Sequence, residues 1–114
     1  NYNPKKAFDL FLKLAEQAPA DSSERIRAAS YLGYIYLNGE GAEQDYKQSK
    51  KWLEIAANGD DLTAIYNLAE TYRNGYGVKK DINKARKLYS QACEEGYGDS
   101  CEIHDQLKRK KAKR

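Results

Sequence analysis

The chain holds one histidine and two cysteines, and no apolar run in it approaches the roughly 18 residues that crossing a bilayer requires. His104 stands alone, with no nucleophile–base motif around it, and no His/Cys cluster has metal-ligand spacing. Neither a catalytic residue, a cofactor, a metal nor a membrane span is therefore expected. The opening NYNPKK carries no signal-peptide pattern and does not begin with methionine, and from the latter the chain reads as a mature protein or a piece of one. At 114 residues it is one domain or part of one, and 40% hydrophobic with 32% charged residues is an ordinary globular balance.

A balance of charge is also missing along the sequence. The formal charge is +3, yet six of the 20 basic residues lie in the last seven positions, Lys108–Arg114. Without that run the count is 14 basic against 17 acidic residues, a mildly acidic body with a basic tail. Such a tail is expected to be solvated, either mobile or a frayed helix end. No aromatic residue interleaves it, which argues against a base-stacking platform for nucleic acid.

What the chain does have is an ungapped internal repeat. Ala28, Leu32, Tyr36, Asn38, Gly39, Gly41, Asp45, Lys50 and Ala56 recur 36 residues later as Ala64, Leu68, Tyr72, Asn74, Gly75, Gly77, Asp81, Arg86 and Ala92. A period of this size marks a solenoid, in which neighbouring units bury one another. Each unit reads as two helices. Ala28, Leu32, Ile35 and Tyr36 share one face of a helix A; Trp52, Leu53, Ala56 and Ala57 share one face of a helix B. Between them, Asn38-Gly39 stops helix A, Gly41 permits a second unusual backbone angle, and Asp45 caps helix B. Gly75, Gly77 and Asp81 repeat those roles. Capping accounts for both aspartates better than catalysis, since a whole unit separates them. The Gly-x-Gly pairs follow helices and lack a Lys-Ser/Thr, so they are not phosphate loops.

The edges are partial copies. Residues 1–18 read as a helix B without its helix A, with Asn3 as cap and Leu10, Phe11, Leu14 and Ala15 matching Trp52, Leu53, Ala56 and Ala57. Residues 19–27 are a link and the start of the next helix, with a capping box at Asp21–Glu24. Repeats then cover 28–63 and 64–99, followed by a partial capping helix at 100–107 and the basic tail at 108–114. A second capping box is expected at Asp99–Glu102. His104 falls where Leu32 and Leu68 predict an apolar residue, which suits a terminal helix facing water.

These residues resemble the Sel1-like repeat family, relatives of tetratricopeptide repeats, whose pattern runs roughly A-x3-L-G-x2-Y-x2-G-x-G-V-x2-D-x3-A-x3-Y-x2-A-A. The second unit has Ala69 for the first glycine and keeps Val78, Asp81, Ala85 and Tyr89. The first keeps Gly33 and carries Ala42, Ser49 and Leu53 in place of Val, Ala and Tyr. The resemblance implies an all-α fold, a right-handed α/α superhelix of helix-turn-helix repeats with a concave face lined by helices A. It implies a protein- or peptide-binding adaptor rather than an enzyme. The segment ACEEGYGDSC also resembles the cysteine-rich exported bacterial branch of the family, in which a C-x7-C pair staples helix B to the next helix A. That implies a Cys93–Cys101 disulfide and an exported or periplasmic setting. Two unpaired thiols in a cytoplasmic protein remain the alternative, and some mitochondrial intermembrane-space relatives carry paired cysteines too. The same branch suggests a second function, binding of cell-wall fragments or β-lactam-related hydrolysis.

With Ala28, Leu32 and Tyr36 inward, the opposite side of the first helix A carries Arg27, Ser30, Tyr31 and Tyr34. The second carries Thr63, Tyr66, Asn67 and Glu70, with Arg73 at the edge. Aromatic and Arg side chains often dominate binding energy, so Arg27, Tyr31, Tyr34, Tyr66, Asn67, Glu70 and Arg73 form the expected binding face. The expected ligand is a protein or peptide.

Overall fold

Polar caps mark out the helices. In the computed structural model, which describes residues 3–112 (the last three by backbone alone), the protein forms α1 (Pro4–Gln17), α2 (Ser23–Asn38), α3 (Tyr46–Asn58), α4 (Leu62–Asn74), α5 (Ile82–Glu94) and α6 (Ser100–Ala112). No strand occurs among the described residues. Asn3 accepts the Lys6 N–H at 3.2 Å; Asp45, Asp61 and Asp81 accept those of Gln48, Ala64 and Lys84 at 2.9–3.1 Å. Each bond satisfies a helix-end donor that lacks an intrahelical partner. The cap of α2 is Ser22, which accepts the Arg25 N–H, one residue beyond the box expected at Asp21–Glu24. Ser22 also donates to the Pro19 carbonyl, and that second bond holds it in the cap position.

Each helix packs on the next, and α2 also touches α4, giving an all-α repeat solenoid 47 Å long and 26 Å across. Leu32, Leu53, Ala56, Leu68, Tyr72, Ala85 and Tyr89 lie in one buried core. Gly33 sets the crossing of α2 and α3: a Cβ there would stand 2.4 Å from Leu53 Cδ2. The Ser49 hydroxyl donates to the Gly33 carbonyl at 2.8 Å across the same contact.

Both glycines of the inter-helix turn have left-handed backbone, but they do different work. Gly39 and Gly75 are the C-caps of α2 and α4, at φ 70° and 74°. Gly41 and Gly77 lean on the preceding helix B: a Cβ would stand 2.3 Å from the Pro4 carbonyl oxygen at Gly41, and 2.6 Å from Tyr46 Cβ at Gly77. Pro4 and Tyr46 open α1 and α3, so the second glycine is a repeat-to-repeat contact.

The two end helices depart from the repeat register. Leu10 and Leu14 are 56% and 37% exposed, although Trp52 and Ala56 at the matching positions of α3 are buried. The cause is support: among the described residues α1 packs chiefly on α2, whereas α3 lies between α2 and α4. Among the described side chains of α6 the buried ones are Ser100, Ile103 and Leu107, so Ile103 takes the inward place expected at position 104. His104 is half-buried with Nδ1 3.6 Å from Asp105 Oδ1. Helix α6 runs on through Ala112 and takes in most of the basic run; Lys113 and Arg114 lie outside the described residues.

Cys93 and Cys101 are joined by a disulfide, with Cα atoms 4.7 Å apart, which ties α5 to α6. Cys101 is exposed. The bond therefore lies along the edge of the stack and not within the helix–helix contact.

Candidate protein-binding face

Helices α2 and α4 present their outer sides together, and two grooves open there. The first holds about 660 Å³ and is lined by α1 residues Ala7 and Phe11, by Arg27, Ser30, Tyr31, Tyr34 and Ile35 of α2, and by Glu40, Asp61 and Thr63. The second holds about 390 Å³ and is lined by Tyr34, Leu37, Asn38, Gln44, Tyr46, Tyr66, Asn67, Glu70 and Tyr76. Tyr34 lines both, so the two grooves adjoin at this residue.

Tyr31 and Tyr34 remain 48% and 45% exposed. Tyr31 is nonetheless held in place, because its ring stacks on Phe11 with centroids 4.5 Å apart and planes 17° from parallel. A rigid, half-open aromatic offers contact area at little further entropic cost, the property that makes tyrosine an effective anchor. Ser30, counted from the sequence on this open side, is buried. Its hydroxyl donates to Asp61 Oδ1 at 2.8 Å and links α2 to the cap of α4.

On α4 the expected residues are more committed. The Tyr66 hydroxyl donates to Asp99 at 2.8 Å, and its ring packs against Tyr89 and Tyr97. Burial first, then the hydrogen bond to Asp99, push the Tyr66 hydroxyl up to about 12. Glu70 accepts the hydroxyl of fully buried Tyr89 and lies 3.9 Å from the Arg73 guanidinium. Burial and that hydrogen bond to Glu70 raise the Tyr89 pKa strongly. Arg73 lines neither groove; it reaches the face through Glu70. Asn67 keeps its side-chain amide open toward the second groove among the described residues.

Four contributors escaped the helical-wheel reading. Phe11 supports Tyr31 from α1, Asp61 joins α2 to α4, and Tyr46 and Tyr76, stacked with centroids 5.3 Å apart, wall the second groove. A wheel of one helix carries no information about neighbours that arrive from other elements. The high tyrosine count, 10 in 114 residues, was the one available signal for the last pair.

A stack of paired antiparallel helices with grooves on its A-helix side defines a helical-repeat protein. The sequence matches the Sel1 repeat over residues 1–19, 26–61 and 62–97, and the chain belongs to the Sel1 repeat family. Among curated relatives it is 42% identical over 55 residues to an ERAD-associated E3 ubiquitin-protein ligase component, HRD3B, of Arabidopsis thaliana, covering 47% of this chain and 9% of that protein. It is 38% identical over 64 residues to human protein sel-1 homolog 2, covering 55% and 9%. An uncharacterised protein of Neisseria meningitidis serogroup B is 36% identical over 93 residues, covering 82% and 19%. The chain thus spans about a tenth of the length of the first two. The fold is similar to a protective antigen of uropathogenic Escherichia coli that displays an SLR fold, at TM-score 0.74 and 37% identity over 86% of this chain and 20% of that one. A Sel1 repeat protein of Oxalobacter formigenes superimposes at TM-score 0.70 and 33% identity, over 82% and 36%.

Proposed function

We propose that the protein is a non-enzymatic protein- or peptide-binding adaptor that uses the α2–α4 face. The observation that carries this reading is the pair of half-exposed tyrosines, Tyr31 stacked on Phe11 and Tyr34 shared by two adjoining grooves. A relative named as an E3 ubiquitin-protein ligase component supports the adaptor class. Arg27, Tyr31, Tyr34, Tyr66, Asn67 and Glu70 line the ligand path, with Arg73 steadying Glu70. Peptides selected on the wild-type protein from a random displayed library provide the probe. Replacing Tyr31, Tyr34 and Glu70 together by alanine is expected to weaken their binding at least tenfold, about 1.4 kcal/mol. Affinity unchanged in that variant, with its helical circular dichroism intact, would place binding elsewhere.

The compartment belongs to the same proposal. The Cys93–Cys101 bond and the bacterial relatives support an exported or periplasmic setting. Protein alkylated in its native compartment and digested without reductant is expected to yield the linked peptide by mass spectrometry. Reduction is expected to lower stability by about 2.5 kcal/mol in urea unfolding, the loop-entropy value for so short a loop. Two alkylated thiols in the native sample would move the protein to a reducing compartment.

A further inference from the structure

The first groove has an uneven distribution of charge. Its floor is apolar and aromatic, built by Phe11, Tyr31, Tyr34 and Ile35. Each of its two carboxylates has a partner within the protein. Asp61 accepts the Ser30 hydroxyl and the Ala64 N–H through the same oxygen, and Glu40 is not free either. Arg27, on the rim, is exposed and forms no ion pair among the described residues. It stands one helical turn from Tyr31 and two turns from Tyr34. An open guanidinium is a planar fork of donors that matches a carboxylate at two points, and beside an aromatic wall it is partly shielded from water.

Resting on the peptide-binding reading above, we propose that this groove selects a peptide with a carboxylate next to an aromatic or aliphatic side chain. The carboxylate pairs with Arg27, and the apolar group lies against Tyr31 and Tyr34. Arg27 thereby sets specificity, while the tyrosines supply contact area. The carboxylate is an Asp or Glu side chain within the peptide.

Peptides selected from a random displayed library on the wild-type protein are expected to be enriched in an acidic group adjacent to Phe, Leu or Ile. In the best binder, replacing that Asp or Glu by its amide is expected to weaken binding tenfold or more while C-terminal amidation leaves it unchanged; a loss on C-terminal amidation alone overturns the proposal. Arg27→Glu is expected to weaken the acidic peptide by at least the same factor and to favour a version with Lys at the acidic position. Arg27 is exposed, so this variant leaves the core untouched, which circular dichroism checks. Equal binding of acid and amide peptides, or an Arg27→Glu variant that binds both versions as the wild type does, overturns the proposal. If that happens while Tyr31→Ala still abolishes binding, the peptide-binding reading stands without its acidic preference. If the wild type selects no peptide, both readings fall.

Discussion

Replacing Tyr89 with alanine is expected to cost about 3–5 kcal/mol, the largest loss expected of any single substitution in this protein. Tyr89 is fully buried, its ring meets Tyr66 edge-on at 5.6 Å, and its hydroxyl donates to Glu70. Deleting the ring leaves a cavity between α4 and α5 and removes a donor from a carboxylate on the groove wall. A total stability of roughly 5–15 kcal/mol is typical of a domain, so the variant should be partly unfolded near its growth temperature. Tyr89→Phe separates the two contributions. It keeps the ring and loses only a hydrogen bond to a charged acceptor, worth about 1.5–3 kcal/mol. Glu70 is partly exposed and regains water in its place, which puts the expected cost at the lower end of that range. Urea midpoints for the three proteins should fall in the order wild type, Phe, Ala. An alanine variant within about 1 kcal/mol of wild type would show that α4 and α5 are not held together by this side chain.

The second large effect is expected at Gly41. Its backbone lies at φ 92°, where an L residue is strained, and the added Cβ would meet the Pro4 carbonyl oxygen at 2.3 Å. The obstacle is backbone at the start of a helix, so it has no rotamer in which to swing aside. Gly41→Ala must shift either the turn or the N-terminus of α1, at about 3 kcal/mol for left-handed strain and overpacking combined. Gly96 is the internal control. It has φ 69° and nothing within 4 Å of the added Cβ, so Gly96→Ala should cost only the backbone strain, about 1–2 kcal/mol. Equal losses at the two sites would mean that the contact with α1 is unimportant.

The contrast between these two glycines shows how far the sequence reaches. The 36-residue period, the all-α repeat fold and the family were legible in it. The caps at Asp45 and Asp81 act on N–H groups three residues away, and a left-handed glycine ends the helix it follows. Interactions of such short range are written in adjacent letters, and a tandem repeat writes them twice.

Long-range contacts were not written in that way. Gly41 meets Pro4 across 37 positions, Ser30 reaches Asp61 across 31, and Tyr66 reaches Asp99 across 33. A helical wheel put Ser30, Tyr31, Tyr34 and Tyr66 on one open side with equal standing. The stacked helices then buried Ser30, engaged Tyr66 with α5 and the residues before α6, and left Tyr31 and Tyr34 open over the grooves. The sequence by itself determined the repeat and its helices, because local hydrogen bonds and apolar spacing decide those. Only the tertiary structure decided which side chains remain free to bind, because that depends on which neighbours arrive from thirty or more residues away and occupy the space first.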